Sequence, residues 1–147
     1  MSDDASLRGG FVLDSHALLA YFEGEPAGET VRRLLDAAQA RRAHLHLSLI
    51  NWGEVRYIVA RAKGDAAAKE IMARIEVLPI TLRAVDRRLV EAAADLKAHH
   101  PIAYADAFAA ATAMTLGVPV VTGDPEFRSL KDRVEIFWTR KPARRGK

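Results

Sequence analysis

The chain has 147 residues, half of them hydrophobic, with 22 basic against 19 acidic side chains and no cysteine. That length and apolar content suit one domain with a real core and exclude a disordered, collagenous or coiled-coil chain. The missing cysteines exclude disulfides, thiolate zinc sites and a cysteine nucleophile, and they fit a reducing compartment. The opening MSDDASLRGG is acidic and polar, unlike a targeting signal, and the apolar runs are too short for a membrane span, so a soluble cytoplasmic protein with no membrane contact is expected. The net positive charge comes from the ending WTRKPARRGK, without which the chain is slightly acidic. The expected division is therefore a domain over residues 1–139 and a basic tail over 140–147. Such a tail suits an RNA backbone or an acidic partner, or is a solvated end.

In chain order, Phe11-Val12-Leu13 reads as a short strand ending at Asp14. A helix is expected from about Ser15 to Phe22, broken by Glu25-Pro26-Ala27-Gly28. Val31, Leu34, Leu35 and Ala38 recur at helical spacing and predict a second helix over about 27–42. HLHLSL at 44–49 alternates as a strand does. The pattern from Ile50 to Lys63 is helical again, Gly64-Asp65 punctuates it, and Ile71, Met72 and Ile75 mark another helix. Val77-Leu78-Pro79-Ile80 predicts a brief strand whose proline ends it or places it at a sheet edge. Val85, Leu89, Ala92, Ala93 and Leu96 mark a long helix, and an alanine-rich helix over about 103–116 is closed by Gly117 as a C-cap. Val118-Pro119-Val120-Val121 and Val134-Glu135-Ile136-Phe137 give the last two strands. Strands separated by helices imply an α/β chain with a parallel sheet covered on both faces, and ligands in such sheets bind beyond the carboxyl ends of the strands.

Acidic residues at those ends stand out. Asp14 and Asp124 each follow a strand directly, Glu54 lies in the first turns of the helix after the second strand, and Asp106 lies near the start of the alanine-rich helix. Singly, each has an ordinary structural explanation: Asp14 and Asp124 as helix caps, Asp106 and Glu54 as carboxylates near positive helix ends, and Thr122 as a β-branched strand residue. Together, three or four carboxylates raise one another's pKa, and a hard divalent cation such as Mg²⁺ relieves that repulsion while leaving room for a substrate phosphate. Such cations support in-line phosphodiester hydrolysis with no protein nucleophile. Other sites are weaker: the chain has no GxxxxGK[ST] loop and no GxSxG elbow, and the pairs His44/His46 and His99/His100 lack the helical spacing of a zinc pair.

Three blocks resemble the PIN-domain family, in particular its VapC-type toxins of toxin–antitoxin systems. They are FVLDSHALLAYFEGEP at 11–26, LSLINWGEV at 47–55, and IAYADAFAAATAMTLGVPVVTGDPEF at 102–127, the last being the most specific. The resemblance implies a PIN-like three-layer α/β/α sandwich with a small parallel sheet of about five strands. It implies that Asp14, Glu54, Asp106 and Asp124 form the metal-binding set, with Asp14 and Asp106 the strongest ligands, Asp124 often acting through water and Glu54 positioning metal or activating water. Thr122 matches the hydroxyl residue of the family's T-x-D motif, which implies a catalytic-site role holding a metal-bound water or Asp14 in place. The implied activity is a Mg²⁺- or Mn²⁺-dependent ribonuclease leaving a 5′ phosphate, often a homodimer and silenced by a cognate antitoxin protein. Position 16 departs from the pattern, since many relatives carry Ser or Thr two residues after the first Asp and this chain has His16. His16 reads as a phosphate contact or as part of the helix cap. Arg56, Arg61 and Lys63 are candidate substrate contacts at the cleft rim or ordinary surface charges. Two rival readings exist. One is a catalytically silent PIN-fold domain that binds RNA or protein. The other is a phosphate-handling receiver, which would want paired acids after the first strand and an Asp after the third, whereas this chain has a lone Asp14 and none at Val77–Ile80.

Overall fold

The computed structural model describes residues 6–140, and most of the basic ending, 141–147, lies outside the described residues. The chain runs β1 (Gly9–Leu13), α1 (Ser15–Phe22), α2 (Gly28–Gln39), β2 (Ala43–Ser48), α3 (Leu49–Lys63), α4 (Asp65–Glu76), β3 (Ile80–Arg83), α5 (Arg87–His99), α6 (Tyr104–Leu116), β4 (Val120–Thr122), a 3₁₀ helix (Pro125–Leu130) and β5 (Ile136–Trp138). The five strands form one sheet in the order β3-β2-β1-β4-β5, and every neighbouring pair is parallel. The expected α/β/α sandwich with a five-stranded parallel sheet is the observed architecture.

Parallel strands need crossovers, and here each crossover but the last is a pair of helices. The period-2 alternation of β1 distributes the layers. Phe11 and Leu13 face a core built with Leu18 of α1, Leu34 of α2, Val55 of α3 and Ile75 of α4. Val12 faces a second core with Leu96 of α5, Phe108 of α6 and Phe127 of the 3₁₀ helix. Five of the six alanines of α6 (Ala107, Ala109, Ala110, Ala111, Ala113) are buried, so α6 is apolar on most sides and packs deep in the second layer. Gly117 ends α6 in the left-handed conformation with φ 69°, and the Val118 N–H returns to the Ala113 carbonyl at 3.0 Å, the expected glycine C-cap.

The last three strands are displaced from their expected positions. The third strand runs over Ile80–Arg83 and not over Val77–Ile80, because Val77 closes α4 as its C-cap and Pro79 has no N–H for the ladder. Pro79 does precede an edge strand, since β3 pairs only with β2. The last two strands start two residues later than the apolar runs that predict them, at Val120 and Ile136.

Gly28 marks the tightest approach between helices. A Cβ there would stand 2.5 Å from the Ala20 carbonyl oxygen and 2.7 Å from Tyr21 Cα, both rigid backbone at the end of α1. Gly28→Ala is therefore expected to cost about 1–3 kcal/mol in urea unfolding, although alanine is the better helix former in isolation. An unchanged or raised midpoint would show that α2 can slide away from α1 without loss.

Candidate metal centre

The strand order reverses at β1, which pairs with β2 on one side and β4 on the other. The carboxyl ends of β1 and β4 therefore lie together, at the place where open parallel sheets bind ligands. Leu13 is in register with Val121, and the Asp14 N–H donates to the Val121 carbonyl at 3.1 Å. This extra rung fixes Asp14 beside Thr122.

Asp14 is fully buried. Its Oδ1 accepts the Ala17 N–H at 2.7 Å and caps α1, so the structural explanation for this aspartate is correct as far as it goes. Its Oδ2 is equally buried and has no hydrogen-bond partner, which a cap alone does not explain. Burial pushes the Asp14 carboxyl up to about 6; the Thr122 hydroxyl, the Ala17 amide and His16 favour the charged form, and Asp124 opposes it. Asp106 sits in the first turn of α6 and is 3 % exposed. Burial, and then the charges of Asp14, Asp124 and Glu54, raise it to about 7, with His16 acting in the opposite sense. Asp106 thus senses the charges of the other three expected acids.

The loop after β4 supplies the remaining carboxylates. The Thr122 side chain is buried, and its hydroxyl oxygen accepts the Asp124 N–H at 3.0 Å. Asp124 Oδ1 accepts the Glu126 N–H at 2.9 Å and starts the 3₁₀ helix, with Pro125 at its first position. One oxygen from each of Asp106, Asp124 and Glu126 lies within 4.8 Å of the others, the one such grouping of three potential ligands among the described residues. Glu126 is absent from the acids singled out in the sequence. The signal for it is the spacing Asp124-Pro125-Glu126: a capped tight turn returns the residue two places on to the same side.

Glu54, half-buried on α3, accepts a short hydrogen bond from the Ser15 hydroxyl, which ties it to the residue next to Asp14. The exposed His16 lies at the mouth of a groove of about 380 Å³ that opens beside Asp124. Leu19, Ala20, Pro26 and Ile58 give this groove apolar walls, and Glu23, Glu25, Thr139 and Arg140 also line it. The candidate basic contacts on α3 separate. Arg56 is exposed two residues from Glu54. Arg61 lies over the Tyr57 ring, and both Arg61 and Lys63 belong to the last turn of α3. At 1.5 Å per residue, Lys63 is roughly 14 Å along the axis from Glu54, toward the opposite end of the sheet. His44 is exposed and His46 half-buried on β2, and His46 is held below its usual range by burial and by Arg83 and His44.

Such a site is chemically specific. It has hard oxygen ligands only, two of them unusually easy to protonate, and a buried carboxylate oxygen with nothing to bind. Those features fit a divalent cation of the Mg²⁺ or Mn²⁺ class.

The family model for the PIN domain matches residues 11–133, most of the chain. No curated protein sequence matches the chain. Among solved structures it is similar to DNA-bound VapBC from Salmonella typhimurium, at 17% identity over 88% of this chain and 98% of that one, with a TM-score of 0.71. It is similar to VapBC2 from Rickettsia felis bound to a promoter DNA fragment, at 13% identity, the same two coverages and a TM-score of 0.70. Mycobacterium tuberculosis VapC20, described as a Sarcin-Ricin loop cleaving toxin, matches at 20% identity over 75% of this chain and 86% of that one, with a TM-score of 0.59.

Proposed function

The chain belongs to the PIN domain family, and from that premise we propose that it is a Mg²⁺- or Mn²⁺-dependent ribonuclease, the toxin half of a toxin–antitoxin pair. The observation that carries the reading is the carboxylate cluster: Asp106, Asp124 and Glu126 with oxygens within 4.8 Å, beside the unpartnered buried Oδ2 of Asp14. The shared fold with a toxin described as cleaving the Sarcin-Ricin loop favours RNA as substrate, and the shared fold with VapBC structures favours a cognate antitoxin as partner. We place the protein in the cytoplasm, where such a substrate is found, and as a homodimer. No helix among the described residues is long and apolar enough to cross a membrane.

In this reading Asp14, Asp106, Asp124 and Glu126 would hold the cation, with Glu54 completing the set. The bound cation would neutralise the scissile phosphate, acidify water and stabilise the leaving oxygen. The protein supplies the positioning. Asp14 is locked by the α1 cap and the β4 rung. Asp124 is oriented by the Thr122 hydroxyl, which makes Thr122 a positioning residue. Glu54, whose charge reaches Asp106, would take the proton of the attacking water. The mixed groove beside His16, with Leu19, Pro26 and Ile58 on its walls and the acids Glu23 and Glu25 also lining it, would seat a base next to the cut, and Arg140 and Arg56 would meet neighbouring phosphates.

The direct test is cleavage of an RNA panel by purified protein in EDTA, Mg²⁺ or Mn²⁺, with thermal melting alongside. Metal-dependent cutting and a metal-dependent rise in melting temperature are expected. A rise in melting temperature without cutting would leave a silent metal-binding domain, and no change in either would overturn the reading. Glu126→Gln separates the observed acid set from the one expected from sequence. It should weaken Mn²⁺ binding by roughly tenfold while leaving the urea midpoint nearly unchanged, since Glu126 is exposed. Wild-type Mn²⁺ affinity in this variant would remove Glu126 from the set.

A further inference from the structure

Asn51 is completely buried, and its side chain bridges three elements. Nδ2 donates to the Ala105 carbonyl at 3.1 Å and to Ser15 Oγ at 3.1 Å. The carbonyl of Ala105 can only accept, so the amide nitrogen must face it, and this fixes the orientation of the whole side chain. Ser15 Oγ then receives a hydrogen from Asn51, and its own single proton is free to go elsewhere. The short contact to Glu54 Oε1 takes it; the alternative acceptor, the backbone carbonyl of Asn51, is farther at 3.4 Å. The result is a one-way chain, Asn51 N–H to Ser15 O–H to Glu54 carboxylate, ending on a charged acceptor where such bonds are strongest.

We propose that Ser15 and Asn51 are positioning residues of the active site: their hydrogen-bond chain commits Glu54 Oε1 as an acceptor, turns the other carboxylate oxygen toward the cluster, and ties α1, α3 and the start of α6 together at Asp14, Glu54 and Asp106. The inference rests on the ribonuclease reading given above. Ser15 neighbours Asp14 in the chain, Asn51 lies one helical turn before Glu54, and Ala105 precedes Asp106. One buried amide therefore sets the spacing of three of the acids. Neither residue touches the substrate in this arrangement, and both act through Glu54.

The test is a double-mutant cycle of Ser15→Ala with Glu54→Gln, read as single-turnover RNA cleavage and, without RNA, as Mn²⁺ binding by calorimetry. Ser15→Ala is expected to lower each by roughly 10- to 100-fold, the usual effect of removing a group that orients a ligand. In the Glu54→Gln background the same change should cost nothing further, because the residue it acts through is already disabled. Equal costs in both backgrounds would overturn the proposal and leave Ser15 a packing residue. Ser15→Thr keeps the hydroxyl and should restore cleavage; failure to do so in a folded variant counts equally against the proposal. Asn51→Asp, the same shape without the donor, should reproduce the non-additivity with Glu54→Gln if Ser15→Ala does not fold. A wild-type protein that neither cuts RNA nor binds Mn²⁺ would instead overturn the function itself, and the positioning role with it.

Discussion

Asp106→Asn is expected to reduce RNA cleavage by at least about 10³-fold while making the metal-free protein more stable at pH 8. The two effects share one cause. Asp106 is buried among Asp14, Asp124 and Glu54, and these surroundings raise its carboxyl to about 7 from an ordinary 3.8. A carboxyl with a raised folded-state pKa binds more protons in the folded than in the unfolded chain between those two values. Stability is therefore full below about pH 4 and is lost as pH rises through about 7. Asp14, raised to about 6, adds a slope of the same sign over a narrower window. Asparagine keeps the shape and carries no charge, so at pH 8 it should gain about 2 kcal/mol, or roughly 6 °C in melting temperature for a domain of this size. At pH 4 the gain should vanish. Added Mn²⁺ should reverse the order, because wild type gains a ligand that the variant holds poorly. Parallel melting curves of the two proteins from pH 4 to 8 would show that Asp106 does not sense its neighbours as described, and full activity in Asp106→Asn would refute its place in the site.

Phe127→Ala should be the most damaging single truncation for the fold, costing about 3–5 kcal/mol in urea unfolding. Phe127 is the largest of the fully buried side chains and anchors the 3₁₀ helix in the core shared by α5, α6 and β4. Its N–H also donates to the Asp124 carbonyl at 3.1 Å. The two flanking acids, Asp124 and Glu126, thus hang on a turn whose main attachment to the core is this one ring. A variant that still folds should bind Mn²⁺ roughly tenfold more weakly, since both carboxylates must then be ordered on binding. A large loss of stability with unchanged Mn²⁺ affinity would show that the Asp124 cap and Leu130 hold the turn by themselves.

The layers were legible because periodicity reports burial. The apolar run of β1, alternation in β2, helical spacing in α2 and α5, and Gly117 after α6 each appear in the sequence with a physical cause. The third strand was misplaced because Val77 and Leu78 are apolar in either state, and only the shape of the α4 C-terminus decides that the chain turns there. Asp14, Asp106 and Asp124 were readable because each sits next to a strand end or a helix start, positions that topology brings together. Glu126 sits at no strand end and on no helical period, and only the Asp-Pro-Glu spacing of its capped turn points to it. Ser15 and Asn51 were invisible for another reason: a buried polar contact between residues 36 apart leaves no periodic trace.

The pairing of β1 with β4 joins Val12 to Val120, so the first and last thirds of the chain meet at the site. The carboxylates run from Asp14 to Glu126, and none of the earlier ones has its full surroundings until the segment through Phe127 has been made. At synthesis rates of about 5–20 residues per second, the interval between the first acid and the last is several seconds or more. During that time a growing chain carries an incomplete cluster on a sheet lacking its central β1–β4 seam. On the proposed reading such a chain is inert while nascent, and its activity begins only as a late event of synthesis.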